Sequence, residues 1–149
     1  MKLLRLIFCV VGVLCCSWAW GQSTVATDLR FRDLFVTPIQ RGGLTPTATL
    51  LELSGKTVRM TGYMAECEEP MPGWFWMAPT PVHISERADG PANDLPAQAV
   101  MVLLPQAQSP QIAPHVRGLI QLTGVLRWGR HETADGTVSW VQLEMSGQP

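Results

Sequence analysis

The sequence has none of the paired spacings that mark common metal and redox sites: no CxxC, no HxxxH, and no nucleophile elbow, phosphate loop or dinucleotide fingerprint. Those absences remove the motif-based grounds for assigning a nucleotide-binding domain or an elbow-type hydrolase. An excess of one charge is missing too, with eleven Lys and Arg against twelve Asp and Glu. Such a balance offers no broad attraction to a phosphate backbone, so nucleic acid is not an expected partner. The apolar run from Leu6 to Cys16 falls well short of the about 20 residues that span a bilayer. Internal repeats and low-complexity tracts are absent.

That short apolar run has the features of a secretory leader. Lys2 and Arg5 precede most of it, and Ala19-Trp20-Gly21 supplies small residues for cleavage. Residues 1–21 are therefore expected to be a signal peptide, leaving a periplasmic or secreted chain with no membrane span. A lipid anchor would require a small residue before the acceptor, whereas Cys15 and Cys16 follow Leu14 and Cys15. Loss of the leader removes Lys2 and Arg5, which makes the remainder more acidic, and removes Cys9, Cys15 and Cys16. Cys67 is then the one remaining cysteine, no internal disulfide can form, and stability must come from the core. A chain of 149 residues that is 46% hydrophobic suffices for one compact domain.

Periodicity divides the rest. Residues 22–45 read as an arm whose Leu29, Phe31, Leu34 and Phe35 need a surface to cover. Thr45-Pro46 is a helix start, and a two-turn helix over 46–53 is expected to stop at Ser54-Gly55. The pattern then alternates. Val58, Met60, Gly62 and Met64 fall on one face of a first strand; Phe75 and Met77 oppose Trp74 and Trp76 in a second. AECEEP between them reads as an acidic turn, and 79–96 as long coil. Residues 97–104 form a nearly continuous apolar third strand. A loop with at most a helical turn follows, then a strand over 117–128 and, after the Asp135-Gly136 hairpin signal, a last strand over 137–145. In that last strand Trp140, Gln142 and Glu144 are expected to face outward. The fold expected is mainly β: a small five-stranded OB-like barrel over 46–146, with a short N-terminal helix and a covering arm. Gly62 and Gly124 lie where tight strand coiling demands room.

The segments LSGKTVRMTGYMA, WFWMAP, AVMVLLP and IQLTGVLRWG resemble a family of short secreted or periplasmic bacterial proteins of uncharacterised function with an OB-like barrel. The resemblance spans roughly residues 50–145. It implies cysteines in the loop after the second strand, where this chain has Pro81-Val82-His83-Ile84-Ser85-Glu86 and no cysteine.

Three sets of residues are candidates for function. Trp74, Trp76 and Trp140 are expected to share an outward face and so to form a ligand-binding platform, unless the arm covers them; the loop 79–96 is then the binding surface. Cys67, with Glu66, Glu68, Glu69 and His83, is a candidate set for a divalent transition metal. Adjacent residues on a turn rarely converge on one ion, however, and three neighbouring carboxylates would raise the pKa of the thiol. His83, Ser85 and Glu86 are the nearest approach to a hydrolase constellation, without triad spacing. The expected function is a non-catalytic binding module with no cofactor, recognising an envelope protein, peptide or small ligand. Metal handling is the first alternative and hydrolysis the second.

Overall fold

The computed structural model describes residues 25–39, 41–85 and 95–146; the expected signal peptide lies outside them. The chain is mainly β, with 3-10 turns at Phe31–Asp33 and Gln106–Gln108 and with eight strands and one short α-helix among the described residues. In chain order these are β1 (Thr27–Asp28), α1 (Ala48–Leu53), β2 (Thr57–Met64), β3 (Glu66–Cys67), β4 (Trp74–Ala78), β5 (His83–Ile84), β6 (Val100–Leu103), β7 (Leu119–Glu132) and β8 (Val138–Met145). Six of them form one sheet in the order β1-β2-β4-β6-β8-β7, and β2 also pairs with β7. That last pairing is antiparallel and runs from Thr57↔Val125 to Tyr63↔Leu119. β6 and β8 are parallel, Met101 opposite Gln142, and the remaining long pairs are antiparallel.

The alternation read from the sequence sets the inward face. Val58 and Met60 on β2, Met77 on β4, Leu126 on β7, and Val141 and Leu143 on β8 are all fully or almost fully buried. β6 is buried on both faces at Val100, Met101 and Val102, as its unbroken apolar run implies. α1 begins two residues later than the expected start at Pro46. Val36 N–H bonds Thr45 O, Thr47 N–H bonds Leu34 O, and Phe35 bridges Pro46, so 45–47 runs as an extended partner of 34–36. Thr47, not Thr45, caps the helix, its hydroxyl accepting from Leu50 N–H at 3.1 Å. Gly55, at φ 83°, then turns the chain so that its N–H reaches Leu126 O.

The arm packs into the core, and its Phe35 also meets Trp128 edge to face at 5.8 Å. Leu29, Phe31, Leu34 and Phe35 belong to the central core, and β1 pairs in parallel with β2 at Val58 and Arg59. The Asp28–Arg59 ion pair at 2.8 Å is solvent-exposed and contributes at most about 1 kcal/mol. Burial of each large apolar side chain contributes about 1.5–3 kcal/mol, so packing holds the arm. Gly62 makes the space: a Cβ there would lie 2.6 Å from Phe31 Cε2 and 2.8 Å from Ala78 O. Gly124 serves β8 in the same way, since a Cβ at that position would run into Glu144 O.

Two further expectations are corrected. AECEEP is not a free turn, because Glu66–Cys67 pairs in parallel with His83–Ile84, extended by Glu66 N–H to Val82 O and Glu68 N–H to Ile84 O. The segment 79–96 therefore begins with ordered structure. Gln142 does not face solvent: it is 4% exposed, and its amide donates to the carbonyls of Gly129 and Ser139. Among the described residues no helix is long and apolar enough to cross a membrane.

Leu34→Ala is expected to cost about 2–5 kcal/mol, whereas Leu51→Ala, at a residue 52% exposed on α1, should stay within about 0.5 kcal/mol. Urea unfolding of the two variants measures both, and equal effects would mean that the arm is not part of the core. Gly124→Ala should cost about 1–3 kcal/mol through overpacking against β8, read as a lowered thermal midpoint.

Candidate functional site

The three tryptophans do not form one platform. Trp74 and Trp76, two residues apart on β4, meet edge to face at 5.8 Å and are partly buried. Trp140 is 49% exposed and lies 6.0 Å from Trp128 in a tilted pair. Trp128 in turn stands edge-on to Phe35 at 5.8 Å. A register shift in β7 between Trp128 and His131 disturbs the regular alternation there. The buried amide of Gln142 holds this irregularity, since it donates to Gly129 O at 3.0 Å.

Trp76 and Trp140 line one hollow and Trp74 lines another. The first is a cleft of about 130 Å³ between Trp76 and Trp140, with Phe35, Leu44, Pro96 and Val138 among its walls. None of the described side chains that line it titrates. Its one hydroxyl, on Ser139, is buried, donates to Met101 Sδ at 3.4 Å and accepts from Gln142. One wall is also a strand edge. β6 pairs with β8 only from Gln142 to Glu144, so among the described residues Val138–Trp140 have no strand partner on that side.

The second hollow, about 80 Å³, is lined by Cys67, Met64, Met71, His115, Glu69 and Trp74, among others. Met64 ends β2 and Cys67 ends β3, while His115 comes from the loop before β7. His115 is tied in by Nε2, which lies 3.3 Å from Met64 O. A carbonyl only accepts, so Nε2 is the nitrogen that carries hydrogen. Burial pushes the Cys67 thiol above its ordinary value. The direction agrees with the sequence expectation, but the cause is desolvation and not the flanking carboxylates.

Cys67 and His83, expected together as metal ligands, sit on opposite sides of β3. His83 is register partner of Glu66; its Nδ1 is 3.7 Å from Glu66 and its Nε2 3.3 Å from Glu68, all of them exposed. Strand alternation turns Cys67 away from that trio and into the cavity. Among the described residues no three His, Cys, Asp or Glu side chains gather as a metal-holding group. Of the hydrolase set, Glu86 lies outside the described residues. Phe35 reaches the first hollow from the arm, and Met71 and His115 reach the second from irregular segments with no periodic signal to group them.

No family model matches the chain, and no curated protein is significantly similar to it. Among solved structures, the crystal structure of a DUF3299 family protein from Pseudomonas aeruginosa PAO1 is similar with a TM-score of 0.46 at 10% identity, covering 81% of this chain and 93% of that one.

With its thiol pushed up by burial, Cys67 is expected to alkylate slowly at neutral pH. Its rate with iodoacetamide should still be rising about tenfold per pH unit where an ordinary thiol, with a pKa of about 8.5, begins to level off. A pH–rate profile that levels at or below the ordinary value would contradict the buried placement.

Proposed function

We propose that this protein is a non-catalytic recognition module, acting in the periplasm or outside the cell, that binds an extended peptide segment in the cleft between Trp76 and Trp140. The single observation that carries the reading is the coincidence of an apolar, aromatic-walled cleft with the strand edge at Val138–Trp140. Main-chain groups along such an edge bind a peptide of many sequences, and a side-chain pocket beside it selects among them. A Trp half in water and half against Trp128 gives the peptide an anchor that costs little conformational entropy. The lack of titratable side chains in the cleft supports binding over bond-making, since proton transfer needs a group to carry the proton. The proposal places an apolar peptide side chain in the cleft, and no cofactor takes part.

The cyclic order of pairing supports a finer reading of the fold as an OB-like barrel. β2, β4, β6, β8 and β7 each pair with the next, β7 returns to β2, and the parallel pair is β6 with β8. In a barrel of this type, ligands are taken on the face of the second and third strands, which here are β4 and β6. Trp76 belongs to that region. The leader pattern at Lys2, Arg5 and Leu6 to Cys16 supports the location.

The test is selection of extended heptapeptides from a display library on the full chain, followed by titration of a selected synthetic peptide. Trp140→Ala should weaken binding by about tenfold or more, as loss of an aromatic anchor does. N-methylation of the peptide at backbone positions facing β8 should abolish binding, while methylation at the alternate positions leaves it. Failure to select any peptide, or wild-type affinity in Trp140→Ala, would overturn the proposal.

A further inference from the structure

The cavity beside Cys67 is smaller than the tryptophan cleft. At about 80 Å³ it has room for an ion or a few waters. Its walls carry an unusual concentration of soft donors: the thiol of Cys67, the thioethers of Met64 and Met71, and the imidazole of His115. The Trp74 indole and the Glu69 carboxylate complete its polarisable and anionic lining. Thiolate and thioether sulfur favour Cu(I) among biological metals, whereas thioethers contribute little to zinc or to hard divalent ions.

The hydrogen bond made by His115 is an independent sign. Metal-bound histidines characteristically donate their other ring N–H to a carbonyl or carboxylate, which fixes the tautomer and orients the ring. His115 Nε2 is within 3.3 Å of Met64 O, and Met64 is itself one of the soft-donor residues, 7% exposed at the end of β2. In the neutral ring, Nδ1 is left as the lone-pair nitrogen. One bond therefore holds an imidazole and a thioether residue together at the cavity wall.

We propose that this cavity is a site for one Cu(I) ion, held by Cys67 Sγ, the sulfurs of Met64 and Met71, and His115 Nδ1. Binding replaces the S–H bond of Cys67 with an S–Cu bond and releases one proton to solvent; copper enters and remains as Cu(I), so no oxidant or reductant is needed. The site is separate from the peptide cleft and stands whether or not the cleft binds peptide.

The experiment is anaerobic competition of the full chain against bicinchoninate for Cu(I), in a background carrying Cys9→Ser, Cys15→Ser and Cys16→Ser so that Cys67 is the one thiol. One Cu(I) per chain is expected. Cys67→Ser and His115→Ala should each weaken binding by about 100-fold, since loss of even an outer-shell partner costs 10- to 100-fold, and Met71→Leu by about tenfold. His83→Ala, on the other side of β3, should leave affinity within about twofold of the background. Thermal midpoints of all variants establish that each is folded, and Met71→Leu, which conserves volume, tests the site with least disturbance to packing. Absence of stoichiometric Cu(I), loss of affinity in His83→Ala with none in His115→Ala, or displacement of Cu(I) by equimolar Zn(II) would each overturn the proposal.

Discussion

The structure depends on the way β2 is held along both of its edges. One edge is taken by β7 from Thr57 to Tyr63; the other is shared between β1 at Val58–Arg59 and β4 at Tyr63–Met64. A strand so enclosed has no freedom to slip, because a shift of one residue would turn Val58, Met60 and Met64 out of the core. Gly62, in the same strand, gives up its side-chain space to Phe31, and the arm is drawn into the interior through that gap. Both hollows inherit this constraint. Met64 closes β2 at the sulfur-lined cavity, and Phe35, carried by the buried arm, stands at the base of the tryptophan cleft.

Much of this was legible in the sequence, and the legible part is local. Alternation located β2, β4, β6, β7 and β8 to within a few residues, Asp135-Gly136 marked the β7–β8 turn, and Gly62 and Gly124 read as residues that suit sharp strand coiling. That Phe31 and Glu144 crowd those two glycines was not legible. Phe31 reaches Gly62 from thirty-one residues upstream, and a parallel pairing as short as β1 with β2 leaves no periodicity to detect. AECEEP failed for a related reason: Glu66–Cys67 is a strand only because Val82–Ile84 returns to meet it. The capping error at Thr45 came from the bridge between Phe35 and Pro46, a tertiary contact that overrides a local helix signal.

Of the candidate site, residue types were easier to read than their grouping. Trp76 and Trp140 do share a hollow, but Trp74 belongs to the other one, since neighbouring positions along a twisted strand need not meet the same surroundings. Cys67 and His83 lie on paired strands, β3 and β5, yet alternation within β3 turns them to different faces. His115, which accompanies Cys67 at the cavity, sits in an irregular loop where neither a period of two nor a period of 3.6 gives any warning. Gln142 shows the converse case: a polar residue at an outward position lies buried because Gly129 and Ser139 satisfy its amide.

The long-range pairing of β2 also bears on how the chain is made. Its main partner, β7, starts more than fifty residues downstream, and β8, which closes onto both β6 and β7, ends at Met145. A ribosome would therefore have to release the chain at least as far as β7 before the central strand could find its neighbour, and contacts so distant along the chain form slowly. Until then Val58, Met60 and the apolar residues of the arm stay uncovered, the condition in which chains aggregate or engage chaperones.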